Sequence, residues 1–211
     1  MRIHLEKYNP GRKEEFKVIK GELSEALHDT PILSIEHVGS TSIEGLYAKP
    51  VIDIDIIVEK ENVQKAINAL VAVGYTDLGE MGIHGRVALR QPGYGKEDHA
   101  TGEASKIVTG TPLNMRRNTY VIEKDCLALK NHIDTKRILE QDESLRQEYI
   151  NVKQTLASKQ VADIAEYANG KNAVLEKVLR RAGWTTEDLY EMRNGIRPSS
   201  SSLEDDVEKK N

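Results

Sequence analysis

His37-Val38-Gly39-Ser40-Thr41-Ser42-Ile43-Glu44-Gly45-Leu46, followed after Tyr47-Ala48-Lys49-Pro50 by Val51-Ile52-Asp53-Ile54-Asp55-Ile56-Ile57-Val58, is the stretch on which the reading of this chain turns. Six aliphatic residues in the eight positions from Val51 to Val58 predict a strand buried on both faces. Side chains alternate along a strand, so Asp53 and Asp55 share one face and Ile52, Ile54 and Ile56 fill the other. Two carboxylates held side by side repel, and one pKa rises unless a cation lies between them. Hard oxygen ligands of this kind suit Mg²⁺ or Mn²⁺ better than zinc. The competing reading is an edge strand whose aspartates face water.

Just upstream, Gly39-Ser40-Thr41-Ser42 leaves one strand and enters a segment expected to start a helix. Such a junction exposes backbone N–H groups and hydroxyls that can hold a phosphate; a plain turn with a serine cap would read the same way. Its pairing with the Asp-x-Asp strand is what points to chemistry. In metal-assisted nucleotidyl transfer a cation bridges carboxylates and triphosphate while a cradle fixes the nucleotide.

Working outward, Asn9 and Pro10 read as the cap and first turn of a helix that carries Phe16, Ile19, Leu23, Ala26 and Leu27 at helical spacing and ends near His28. Ile32 to Val38 is a predicted strand, and Val63 to Val71 a helix stopped by Gly74. Further strands are expected at Arg86 to Arg90, Ile107 to Thr109 and Tyr120 to Glu123. Between them Gln91 to Lys106, with Pro92, Gly93, Gly95 and Gly102, reads as a long loop, and His99 and Asp98 within it are of interest as metal contacts without a spacing that demands one. After Asp125 the period is helical. One helix carries Leu127 to Leu139, a second Leu145 to Leu156, a third Ile164 to Leu179, and Thr185-Thr186-Glu187-Asp188 caps a last short one. From Pro198 the chain is polar and is expected to be disordered. The predicted organisation is therefore an α+β fold: a mixed-sheet core over residues 1–124, a helical part over 125–197 packed on it, and a tail over 198–211.

Composition narrows the classes. The 211 residues carry 34 Asp and Glu against 30 Lys and Arg, a net charge of -4 that argues against a general polyanion binder. No basic arm or zinc module is present and aromatics are 5%, which makes nucleic acid an unfavoured partner. No apolar run approaches a bilayer span and no apolar signal core follows Met1-Arg2-Ile3-His4, so a cytoplasmic location is expected. The lone Cys126 allows no intramolecular disulfide and no cysteine-cluster metal site, and reads as a small buried apolar residue. Locally the balance differs: Arg86, Arg90, Lys96, Lys106, Arg116 and Arg117 outnumber Glu97, Asp98 and Glu103, so residues 84–118 form a basic stretch suited to a phosphate.

Other side chains join the candidate site with two readings each. Lys49, before the aspartate strand, reaches a phosphate or is solvated. Arg86 binds a phosphate or pairs with an aspartate. Tyr149 and Lys153, and likewise Tyr167 and Lys171, stand four apart on a helix face, each pair supplying an aromatic and a cation to one pocket wall, or a half-buried Tyr with a Lys snorkelling to water. His37 reads as a satisfied polar histidine rather than a base.

Glu36-His37-Val38-Gly39-Ser40-Thr41-Ser42, Gly45-Leu46, Ala48-Lys49-Pro50 and Ile52-Asp53 together resemble the GrpB-like family, which is itself similar to the polymerase-beta-type nucleotidyltransferase superfamily. Gly82-Ile83-His84-Gly85-Arg86, Lys130-Asn131-His132, Glu148-Tyr149, Val152-Lys153, Tyr167 and Lys171 extend it over roughly residues 10–183. The resemblance implies a nucleotidyltransferase-like mixed sheet with flanking helices. It further implies Mg²⁺ or Mn²⁺ on Asp53 and Asp55, a nucleoside triphosphate on Gly39, Ser40 and Thr41, and a small-molecule or protein acceptor. Nucleotidyltransferases of this superfamily usually place a third acid on a neighbouring strand as general base. Glu123 is the candidate here, and it is equally placed to cap the next helix. Two departures stand out: His84 replaces a frequent Pro, and Asn118-Thr119-Tyr120-Val121 replaces a His-containing strand. Without a third acid the resemblance implies a ligand-binding module that lost transfer chemistry. In some organisms this family's domain is joined to dephospho-coenzyme A kinase, a hint toward coenzyme A metabolism.

Overall fold

In a computed structural model, which describes residues 2–94 and 116–194, the chain builds a five-stranded mixed sheet flanked by helices. The strands are β1 (Ser34–Val38), β2 (Ile52–Val58), β3 (Thr76–Asp77), β4 (Arg86–Arg90) and β5 (Arg117–Glu123), in the order β1-β2-β5-β4-β3. Only β2 and β5 run parallel; the other neighbours are antiparallel. The expected strand at Ile107 to Thr109, most of the Gln91 to Lys106 loop with His99 and Asp98, and the tail from Pro198 lie outside the described residues.

β2 takes the buried interior position between β1 and β5, which removes the edge-strand reading. Its apolar face, Ile52, Ile54, Ile56 and Val58, is fully buried, each residue contributing roughly 1.5–3 kcal/mol relative to exposure. That face packs against α1 (Gly11–Ala26) and α2 (Val63–Ala72) through Ile19, Leu23, Ala66, Ile67 and Leu70. The helix ends follow local chemistry. Asn9 Oδ1 accepts from the Gly11 N–H at 2.9 Å at the start of α1, and Gly74, at φ 96°, follows the end of α2.

The opposite face of β2 turns Asp53, Asp55 and Ile57 toward the helical part, α3 (Leu127–Gln141), α4 (Glu143–Ala157), α5 (Ile164–Asn169), α6 (Asn172–Arg181) and α7 (Thr186–Asn194). α3 packs on β1 and β5, and α6 on α3 and α4. Ile43 and Leu46, from the β1–β2 connection, share a core with Ile138, Leu139, Tyr149, Ile150, Val174 and Val178. The connection that reads as a phosphate cradle is thereby clamped between sheet and helices. At α7 the expected cap is reciprocal: Thr185 Oγ1 accepts from the Asp188 N–H and Asp188 Oδ2 from the Thr185 N–H.

Three elements differ from the sequence reading. The single helix expected from Ile164 to Leu179 is two, divided at Gly170, where a Cβ would lie 2.6 Å from Leu156 of α4. β5 starts at Arg117, three residues earlier than predicted, because it follows β2 in register from Ile52 onward. The two-residue β3 carried no periodic signal. Among the described residues no helix is long and apolar enough to cross a membrane.

Candidate functional site

Above the β1–β2 turn a cleft of about 450 Å³ opens between β2, β5, α3, α4 and the α5–α6 junction. Gly39, at φ 67°, begins the 3-10 turn Ser40–Ser42. It lies so close over β2 that a Cβ there would overlap the Asp53 carboxylate. Glycine is required by contact as well as by backbone conformation.

The turn's hydroxyls are mostly committed to the turn itself. Thr41 Oγ1 donates to the Val51 carbonyl at 3.1 Å and lies 3.0 Å from His37 Nε2, which must therefore be the protonated nitrogen. Ser42 Oγ donates back to the Gly39 carbonyl at 2.8 Å, and Ser40 bonds the Tyr149 hydroxyl. This corrects the expectation that the Thr41 hydroxyl is a phosphate donor: its one proton is used to lock the turn onto β2. His37 is a satisfied buried histidine, as expected. Its burial, with the Lys136 ammonium nearby, holds its pKa down at about 4.

The two aspartates divide. Asp53 lines the cleft, and its Oδ1 accepts from Asn118 Nδ2 at 2.7 Å. Burial raises its pKa, opposed by the Asn118 hydrogen bond and by Lys49, His132 and Lys171. Asp55 is fully buried beneath; its Oδ2 is 2.8 Å from His132 Nδ1, and its Oδ1 has no partner among the described residues. Tyr120, opposite Asp55 in the parallel register, packs on the His132 ring, and Arg86 stacks on Tyr120 at 4.4 Å. Of the two sequence readings of Arg86, phosphate binding or an aspartate pair, the pair is not formed among the described residues: Arg86 lines the cleft on an aromatic ring.

The cations converge. Lys49, Arg86, Lys136, Lys153 and Lys171 line the cleft, where Asp53 is the single carboxylate among the described residues. Lys153 is 2% exposed, with its ammonium 5.0 Å over the Tyr149 ring, so it does not snorkel to water. Lys171 sits just past the end of α5, 4.7 Å over the Tyr167 ring, and Lys49 approaches the same ring at 5.7 Å. Burial lowers all three amines: Lys49 to about 8, Lys153 well below the usual value, and Lys171 in the same direction. Asp53 opposes each shift; Lys171 adds to it at Lys49 and at Lys153. Burial also pushes the Tyr149 phenol up to about 12.

Glu123 does not join them. It stands opposite Val58 at the other end of β5, five residues or ~16 Å along the strand from Asn118. There it borders a separate cavity with His84, Cys126 and Met192, and pairs with Lys60 at 4.0 Å. Nor does it cap α3, whose N-cap is Cys126, its sulfur accepting from the Leu129 N–H. The residue facing Asp53 across β5 is the amide Asn118. For a resident divalent cation the donor set among the described residues does not fit. One carboxylate faces the cleft with an oxygen already bonded to Asn118. The unpartnered Asp55 oxygen is sealed below it, and five cationic side chains share the space.

The sequence reading thus placed Gly39, Ser40, Thr41, Lys49, Asp53, Arg86, Tyr149, Lys153, Tyr167 and Lys171 on one cleft wall or another. It missed Asn118, Tyr120, His132 and Lys136. His132 sits in the Lys130-Asn131-His132 block, so a signal existed; for Asn118 only the register of β5 could supply one.

Comparison with known proteins agrees with this geometry in fold. A UPF0157 protein of Halalkalibacterium halodurans is 28% identical over 154 residues, covering 72% of this chain and 69% of the relative. The crystal structure of the conserved protein GrpB from Enterococcus faecalis superposes with a TM-score of 0.65 at 24% identity, over 86% of this chain and all of that one. The RNA uridylyl transferase Cid1, solved with a UTP analogue, is a distant neighbour, with a TM-score of 0.40 at 13% identity over 70% of this chain and 43% of its own. The family model described as GrpB protein matches residues 2–181, and the chain belongs to that family.

Proposed function

We propose that the cleft is a binding site for the phosphates of a nucleoside triphosphate, in a nucleotidyltransferase-like scaffold that binds without transferring. The observation that carries this is the convergence of buried Lys153 and half-buried Lys171 with Lys49 and Arg86 around the single carboxylate that lines the cleft among the described residues. Unpaired ammonium groups are costly to bury, and an anion that enters repays the cost. A volume of about 450 Å³ suits a nucleotide-sized ligand, and Tyr149, Tyr167 and Tyr120 supply apolar walls for the rest of it. Transfer to a small-molecule or protein acceptor needs a base near the incoming hydroxyl. Asn118 cannot serve as one, which favours the binding module.

Isothermal titration of ATP, GTP, CTP and UTP, each with and without Mg²⁺, tests this. At least one is expected to bind wild type and to bind Lys171→Met about tenfold more weakly. Silence from all four, or equal affinity for both proteins, overturns it.

The metal-dependent transferase is the second reading, favoured by the placement of the Asp53 carboxylate in the cleft beside the Gly39, Ser40 and Thr41 turn. It requires that Asp53→Asn abolish binding of the Mg-nucleotide. Retained binding removes it.

A further inference from the structure

Lys153 and Lys171 pose a problem of charge. Each reaches into the cleft from a different helical element, and each has an aromatic ring as its recorded contact, Tyr149 at 5.0 Å and Tyr167 at 4.7 Å. Neither forms an ion pair or side-chain hydrogen bond with the described residues. Lys49 approaches the same Tyr167 ring at 5.7 Å. Two ammonium groups without an ion pair, from α4 and the α5–α6 junction, therefore share the cleft with Lys49 and with Asp53, the single carboxylate that lines it among the described residues. A cleft that had to accept a divalent cation would be arranged the other way, with carboxylates converging and lysines kept back.

We infer that this site takes its polyphosphate directly on the ammonium groups of Lys49, Lys153 and Lys171, with lysines in the place where related chemistry uses a divalent metal. The inference rests on the phosphate-binding reading of the same cleft and adds that the ligand is a metal-free polyanion. The buried hydroxyl of Tyr167, without a hydrogen-bond partner among the described residues and on the ring that Lys49 and Lys171 face, supplies a hydrogen-bond donor to the same anion. Burial lowers the pKa of all three amines, and a polyanion beside them would favour their charged forms. Asp53 opposes that lowering at all three amines without reversing it.

Inorganic tripolyphosphate is the probe, because it carries the charge of a nucleotide without a base. Titrated calorimetrically into the full chain, it is expected to bind in EDTA and to bind no tighter with excess Mg²⁺, which neutralises part of its charge. Lys153→Met and Lys171→Met should each weaken binding in EDTA by about tenfold. Asp53→Asn should hold it within about threefold or tighten it. Thermal melting checks that each variant folds. If a lysine variant does not fold, the wild-type affinity in EDTA must still fall as NaCl is raised, because the contacts are ionic. Binding only with Mg²⁺, a loss of about tenfold or more in Asp53→Asn, salt-independent affinity, or no tripolyphosphate binding under any condition overturns the inference. The two readings fail separately. A nucleotide that binds only with Mg²⁺ leaves the nucleotide site standing and removes the lysine one; tripolyphosphate binding in EDTA with no nucleotide bound does the reverse.

Discussion

At Gly39 two constraints coincide, one of backbone and one of contact, and they can be separated by comparison with Gly79. Both have left-handed φ values, 67° and 72°, but a Cβ at Gly39 meets the Asp53 carboxylate while one at Gly79 meets nothing within 4 Å. Gly79→Ala should therefore cost about 1 kcal/mol and Gly39→Ala about 2–4 kcal/mol in urea unfolding, the difference being overlap with Asp53. Equal costs would show that the turn can lift off β2 freely. Asp55 is constrained differently, by its one partner among the described residues, His132. His132→Ala leaves a buried carboxylate with neither oxygen bonded and should destabilise by about 2–4 kcal/mol. In an Asp55→Asn background the same change should cost clearly less. The sequence announced the importance of Gly39 and of both aspartates, but not these roles. It offered Thr41 as a phosphate donor, and nothing local reveals that the hydroxyl is spent on Val51, ten residues away. Hydrogen-bond partners distant in sequence are what a linear reading lacks.

The strands and helices themselves were mostly legible, since β2, β4, α1 and α2 follow from periodicity and from Gly and Pro punctuation. β5 was legible only in its apolar half. Asn118 and Thr119 break the hydrophobic run, yet they pair with Asp53 and Ile54 because parallel pairing with β2 fixes the register over seven residues. The three residues that periodicity hides hold the side chain that faces Asp53. Glu123 is the acid in the part of the strand that periodicity reveals, and the neighbour of Asp53 across the register is an amide. Asn118→Asp reverses the situation. It sets a second carboxylate at hydrogen-bonding distance from Asp53, where like charges repel unless a cation intervenes. The variant should melt below wild type at neutral pH, recover part of the loss on addition of Mn²⁺, and bind tripolyphosphate in EDTA more weakly. Wild type should show no such Mn²⁺ response. A melting temperature of the variant that ignores Mn²⁺ would mean that Lys49 and Lys171 already neutralise the pair.

For the whole molecule, a net charge of -4 conceals a cleft lined, among the described residues, by five cationic side chains and one carboxylate, and this segregation should be visible in the pH dependence of stability. Lys49 ionises at about 8 in the folded chain, where burial outweighs the attraction of Asp53 and where Lys171 and Arg116 add to the shift, against 10.5 for an unperturbed lysine. Between those values the unfolded chain holds more protons at this position, so its contribution to stability grows as pH rises from about 8 toward 10.5. A bound polyanion favours the charged amine and pulls the other way, so the melting shift produced by tripolyphosphate should shrink over the same interval. His37 acts at the opposite end. It is held neutral down to about 4 against 6.5 when free, so its contribution is present above 6.5 and is lost as pH falls toward 4. Melting curves taken from pH 5 to 10 on wild type and Lys49→Met, with and without tripolyphosphate, separate these effects from the general titration of the surface. The difference between the two proteins should appear above pH 8, with opposite slopes for the free and the liganded chain. Parallel curves for wild type and Lys49→Met across that range would place Lys49 outside the charge balance of the cleft and leave Lys153 and Lys171 to carry it.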